Sequence, residues 1–543
     1  MGWLLLAPAL VLWLAALVAP VLYTAYLSLQ QTGNIRDLSR TEFVGLDNYT
    51  ALSGVDALPG SIGFTLAVVL VRVAAVAVVP PALAWGVATL GRRAAIPVGV
   101  AFAVPLAFAT PAMAAAGRVS AAPTGSLATE AGARLAVLGF DATHALLYGC
   151  ALGLVVLVGA LRQDPASLTP RRSYRAFAIA WLVGIIAAAA YGLQAFTEMQ
   201  LMTGGGPRDA TSTLGLLAIR SAVVNFQLGY AAAFSVVILV PVLLLGLGTG
   251  FLVVATRVRV DIDAPVERWT ARTTPLSIAA IVAGGVALVV ALFALVEGVL
   301  PVVAGWTGQP PPEQAVVSSL GRLLTHDLVT TFLVVAVSLA AAVGIVLCRP
   351  LGRGSEWMLL AFAPWLFLTN VPLAVNLLIT NTSGLQRPLA YLQPALSLMP
   401  ALIFAFAVIL RGLEPRWRVG RARGESLPLG PHVMVPLVPM IAAIGLAAFV
   451  ATAHELVTPY TTVIRPDESS LVLIAVRQAV QMSGEQQALT LADLPMATVS
   501  FLGLAAAFVW YAGRIVVRAG ADPDLPTTIP VTREVPGPGA APR

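Results

Sequence analysis

Along this chain, runs of about 20 residues pass again and again with scarcely a charged side chain, each long enough to carry a helix through a bilayer core. They begin near Trp3, Phe64, Ala95, His144, Ala176, Tyr230, Pro275, Leu328, Trp357, Pro394, His432 and Ala497. In hydrocarbon each backbone N–H and C=O has to find a partner within its own segment, so such runs read as helices. Composition points the same way: 58% of the 543 residues are hydrophobic, 11% are charged, and the mean hydropathy is +0.88. A water-soluble domain of this size does not look like that. The first run is too long, and too poor in basic residues before it, to be a cleaved signal peptide, and it counts as a helix. The expected fold class is an all-α polytopic membrane protein with about twelve transmembrane helices, counted as such runs.

All 32 basic residues are arginine. Without lysine the chain has neither the phosphate-gripping side chain of a P-loop nor the amine of a Schiff base, so it is no ATPase by itself. Cys150 and Cys348 stand at the ends of apolar runs, and His144, His326, His432 and His454 are scattered without ligand spacing. No metal, cofactor or catalytic residue is predicted. The net charge of +6 sets topology instead of marking a nucleic-acid partner. With the N-terminus inside, the inside loops hold Arg92 and Arg93, then Arg162, Arg171, Arg172 and Arg175, then Arg257 to Arg272, then Arg349 and Arg353, Arg411 to Arg423, and Arg514 and Arg518. The outside loops are longer and carry fewer arginines, which places both termini in the cytoplasm.

Six runs precede an Arg/Asp-rich linker, residues 257–274, and six follow it. The reading is a first half over 1–256, a second over 275–520, and a Pro/Gly-rich disordered tail over 521–543. Because six is even, both halves enter the membrane from the same side, as a parallel repeat about an axis along the membrane normal.

Between two apolar runs lies LMTGGGPRDATSTL, Leu201 to Leu214. It has no following GK[ST], no preceding strand and an outside position, so it is not a phosphate loop. Its glycines and Pro207 favour a tight turn. The larger stretch from Leu193 to Val237 resembles the end of the permease subunit of sugar-type, maltose-importer-like ABC transporters. The residues in step are Gln194, Phe196, Thr203 to Pro207, Thr213, Leu214, Phe226 and Leu228 to Ala231. Pro8, Pro20, Tyr23 and Phe43 to Tyr49 are similar to the family's first span and the loop after it, and Pro436, Pro439, Glu455 and Pro459 to the fifth span of the partner permease. The chain thus resembles two permease subunits fused head to tail.

That resemblance implies a multi-pass protein of the bacterial cytoplasmic (inner) membrane, surrounded by membrane lipid, with a separate ABC ATPase and an extracytoplasmic solute-binding protein as partners. The family's cytoplasmic coupling loop carries E-A-A followed by Gly. Leu161 to Phe177 has neither, and Leu410 to Pro439 keeps only Gly424. The expected ATPase-docking residues are Arg162, Arg171, Arg172, Arg175, Arg416, Arg418, Arg421 and Gly424, and the external docking loop is Gly204, Gly205, Gly206, Pro207 and Arg208, within a surface formed by 203–220 and 458–475. Ionisable groups within or near spans are Arg72, Glu198, Glu297, His454 and Glu455, and such groups face cavities or partners. The candidate pathway residues are Gln194, Asn370, Asn376 and Glu455, and the uncharged ones among them serve equally as glue between helices. Two functions remain open: the transmembrane unit of an importer for a carbohydrate or similar polar solute, or a permease fold that has lost ATP coupling and serves as a structural or binding subunit.

Overall fold

The computed structural model describes residues 1–34, 37–90, 92–108, 126–161, 171–262, 323–383, 392–422, 433–462, 486–511 and 514–520, with a few single positions between 278 and 321. Seven helices among them are long and apolar enough to cross a membrane: Gly2–Leu27, Ala57–Thr89, Tyr174–Leu193, Leu228–Ala255, Thr325–Cys348, Ala395–Pro415 and Val435–Thr461. Each coincides with a run found in the sequence. An eighth arises if Glu130–Ala151 and Gly153–Leu161, bent by 44°, form one span. The described residues are mainly helical, as an all-α membrane protein requires, and seven or eight of their helices are long and apolar enough to span a bilayer.

In chain order, α1 (Gly2–Leu27) leads through β1 (Gln30–Asn34), β2 (Asp37–Phe43) and α2 (Asp47–Leu52) to α3 (Ala57–Leu90) and α4 (Arg92–Phe108). Next come α5 (Glu130–Leu161), α6 (Arg171–Leu193), α7 (Thr197–Met202), α8 (Leu214–Val223), α9 (Leu228–Ala255) and β3 (Arg259–Ile262). The second half shows α10 (Leu328–Val343), α11 (Ala374–Ser383), α12 (Met399–Ala422), α13 (Val435–Ala453), α14 (Val457–Thr462), α15 (Gln486–Tyr511) and β4 (Ile515–Arg518).

The remaining four runs come out differently. Of the run at Ala95 the described residues hold the helix Arg92–Phe108, and that at Ala497 contributes the apolar part Ala497–Tyr511 of α15. The run at Pro275, like Glu297, lies almost wholly outside the described residues. The run at Trp357 is not an α-helix. It forms 3₁₀ turns, Gly352–Ala361 and Ala363–Trp365. Pro364 has no N–H and disfavours an α conformation at the residue before it. A partner helix presses on the same place: a Cβ on Gly246 of α9 would stand 2.5 Å from the Ala363 oxygen, and one on Gly250 would stand 2.3 Å from the Ala363 Cβ. Two glycines four positions apart give α9 a flat track on which this segment lies.

The order of elements recurs. α6 ends at Leu193 and α7 starts at Thr197; α13 ends at Ala453 and α14 starts at Val457, the same helix, three-residue break and short helix 260 positions later. The largest apolar core lies between the halves, joining Phe234 and Val242 of α9 to Val346, Phe362 and Phe406. Other faces of the same helices, with Leu66 and Leu70 of α3, Leu244 and Phe251 of α9 and Phe332 of α10, are exposed and apolar, as lipid contact requires.

Two strand pairs were not legible as such. β1 and β2 form an antiparallel hairpin. β3, inside the segment read as a linker, pairs antiparallel with β4, Arg259 opposite Arg518 and Ile262 opposite Ile515. The exits of the last helices of the two halves are therefore hydrogen-bonded to each other. The rest of that linker and the 521–543 tail lie outside the described residues.

Candidate functional site

The glycine loop is built from the residues that carry the resemblance. Gly204 and Gly205 take φ of +57° and +89°, and a Cβ on Gly205 would meet Leu216 at 2.8 Å and Arg220 at 2.9 Å; only glycine fits there. The Gly206–Pro207 bond is cis. The Gly204 N–H donates to the Gln200 oxygen, the Gly205 N–H to Thr203 Oγ1 and the Gly206 N–H to the Thr203 oxygen. The three glycine N–H groups are thus spent within the chain. Arg220 of α8 reaches back, donating to Asp209 at 2.8 Å and to the Gly204 oxygen at 2.6 Å. Arg208 projects from the loop, its side chain 88% exposed and 3.7 Å from Glu130.

Thr213 caps α8 by accepting from the Leu216 N–H and donates to the Ala195 oxygen at 2.6 Å. The two motif stretches of the first half also meet. Asn48 donates to the Ser28 and Gln30 oxygens, Tyr230 donates to the Ala51 oxygen, and a Cβ on Gly229 would lie 2.0 Å from the Gln30 oxygen. The glycine of LGYA is where the hairpin seats on α9.

Three of the four pathway candidates come together where the first half meets the second. Gln194, in the α6–α7 break, donates to the Ala190 and Phe367 oxygens at 3.0 and 2.8 Å and accepts from the Thr369 N–H and hydroxyl at 2.8 and 2.9 Å. That uses the full capacity of a side-chain amide. Asn370 donates to Thr458 Oγ1 at 2.9 Å, and Glu455, in the α13–α14 break, accepts from the Val457 and Thr458 N–H groups at 2.9 Å each. The two breaks touch, with Phe196 and Tyr460 in edge contact at 5.8 Å. Asn376 stands apart: it donates to the Pro20 oxygen of α1 and accepts from Thr380.

At the opposite, arginine-rich end, Glu414 of α12 accepts from Arg349 at 2.7 Å and from Arg418. Arg411, only 5% exposed, lies 3.2 Å from Glu356 and donates to the Val253 and Val258 oxygens at the exit of α9. Asp261 of β3 pairs with Arg518 of β4 at 3.1 Å. A Cβ on Gly412 would fall 2.0 Å from the Val260 oxygen, so β3 lies directly on α12. Arg418, read as an ATPase contact, is engaged within the chain. Arg175 is exposed. Arg171 and Arg172 begin α6, and Arg416 and Arg421 lie in α12, while Arg162 and Gly424 fall outside the described residues, as does 463–475 of the second external segment.

Cys348 is exposed at this end and Cys150 is buried. In sealed inside-out vesicles a membrane-impermeant maleimide is expected to label Cys348 and spare Cys150; labelling in right-side-out vesicles instead would reverse the orientation expected from the arginines.

A charged cluster within the first half unites Arg72, Glu198 and a residue that sequence reading missed. Arg72 of α3 donates from Nε to both Asp141 oxygens of α5 at 2.9 Å, and its Nη2 lies 3.3 Å from Glu198 Oε1 of α7. Asp141 is 1% and Glu198 7% exposed. Burial raises the Glu198 carboxyl above the usual range; Arg72 draws it down and Asp141 pushes it further up. The only sequence signal for the cluster is that each member is an ionisable group in apolar surroundings.

No protein-family model matches the chain, and no curated protein matches it.

Proposed function

We propose that the chain is the transmembrane unit of an ABC-type importer, two permease-like halves that move a polar solute, of carbohydrate or related type, between them. The observation that carries this reading is the repeated break. Helix, three-residue break and short helix occur at Leu193–Thr197 and again at Ala453–Val457, and the two meet through Phe196 and Tyr460. A pathway on an axis between repeats needs equivalent elements facing each other there. The built glycine loop supports an external docking surface for a solute-binding protein, with Arg208 presented to it. The ATPase would dock at the arginine-rich end.

A second reading is favoured by the bonding at the interface. Gln194 is saturated by chain partners, and β3, β4 and Arg411 tie the exits of both halves together. A permease fold held in this way serves as a structural or binding subunit of a membrane complex. Purification of the native complex separates the two. An importer co-purifies with an ABC ATPase whose turnover rises with loaded binding protein, and a complex holding no ATPase sinks that reading in favour of the second.

A further inference from the structure

The cluster of Arg72, Asp141 and Glu198 has one cation for two carboxyls, all three largely buried. Asp141 takes the guanidinium side-on through Nε and Nη2 and is almost wholly enclosed. Glu198 has a single longer contact, 3.3 Å, to the same Nη2. Tyr148 of α5 also faces Glu198, while His144 on the same helix turns Nδ1 to the Phe140 oxygen at 3.0 Å, and Tyr460 packs on Phe196 at the start of α7. Among the described residues, Arg72 is the arginine that the structure pairs with these two carboxyls. With both carboxyls ionised the cluster would hold a net negative charge in a site that solvates it poorly, and such a group neutralises instead.

We propose that this cluster is a proton-binding site, with the proton held on Glu198 and the Arg72–Asp141 pair as its fixed counterpart. Proton binding makes the cluster neutral. Proton release places a buried carboxylate on α7, the six-residue helix that runs directly into the glycine loop. The site therefore links external pH to how firmly that loop is held. The sign follows from a native-state affinity for the proton above that of the unfolded chain: the contribution is complete at low pH and is lost as pH rises through the native titration.

Infrared spectroscopy of the full chain in lipid nanodiscs tests this through the carbonyl stretch of a protonated carboxyl group. The expected result at neutral pH is that Glu198→Gln loses one such band relative to the wild type. Asp141→Asn loses the same band, because Glu198 then becomes the sole partner of Arg72 and ionises. Raising the pH of the wild type removes the band without any substitution, so the proposal stays testable if a variant fails to fold. A wild-type spectrum that matches Glu198→Gln in this region, or a band that survives Asp141→Asn, overturns it. The readout is independent of transport and of any ATPase, so this proposal and the importer reading can fail separately.

Discussion

Replacing Arg72 by leucine is expected to destabilise the protein by about 3–5 kcal/mol, because removal of one partner strands buried charge that the other partners cannot relieve. Asp141, at 1% exposure, loses every hydrogen bond from Arg72 at once and is shielded from water. Glu198 loses its cation as well. The measurement is thermal unfolding of the purified chain in detergent, followed by helical signal. Leucine together with Asp141→Leu and Glu198→Gln should recover most of the loss, since replacing a whole buried ion cluster by apolar groups is often neutral. An Arg72→Leu variant that melts with the wild type would show that the cluster is hydrated and of no structural weight.

Gln194→Leu is expected to cost about 2–4 kcal/mol, because the Thr369 N–H and the Phe367 carbonyl are left buried without partners. The same variant separates two roles for the residue. As interface glue, Gln194 contributes to stability and the loss appears in melting with no solute present. As a solute ligand it would leave melting unchanged and weaken binding only. Its four hydrogen bonds to the chain favour the first outcome. A melting curve that coincides with the wild type would return Gln194 to the list of pathway residues.

The apolar helices were legible because the bilayer imposes one rule on each segment separately: its backbone must satisfy itself, and its length must match the hydrocarbon. Nothing distant is needed to read Gly2–Leu27 or Leu228–Ala255. The 3₁₀ course of residues 352–365 was not legible, because it depends on Gly246 and Gly250 of another helix as well as on Pro364. The glycine loop was legible as a turn, yet its closure by Arg220 was not, since arginine ordinarily reads as a solvated charge. Arg72 and Glu198 stood out singly. Their meeting at Asp141 joins three helices, and no periodicity in one stretch encodes a contact between residues so far apart in the chain. Among the pathway candidates, the sequence shows polar side chains in or beside apolar runs, while the partner each one meets depends on segments far away in the chain.

The pairing of β3 with β4 has a consequence for biogenesis. β3 leaves the ribosome as soon as the first half is complete, and its partner at residues 515–518 is synthesised only after the whole second half. Throughout that interval β3 is an unclaimed edge, the kind of template that recruits wrong partners. Its design suits the wait: it is four residues long, and Arg259 and Asp261 alternate with its two apolar side chains. Brevity and charge are what keep an edge from pairing with a stranger. The hydrogen bonds that join the end of the first half to the end of the second can thus form only once residues 515–518 have been made.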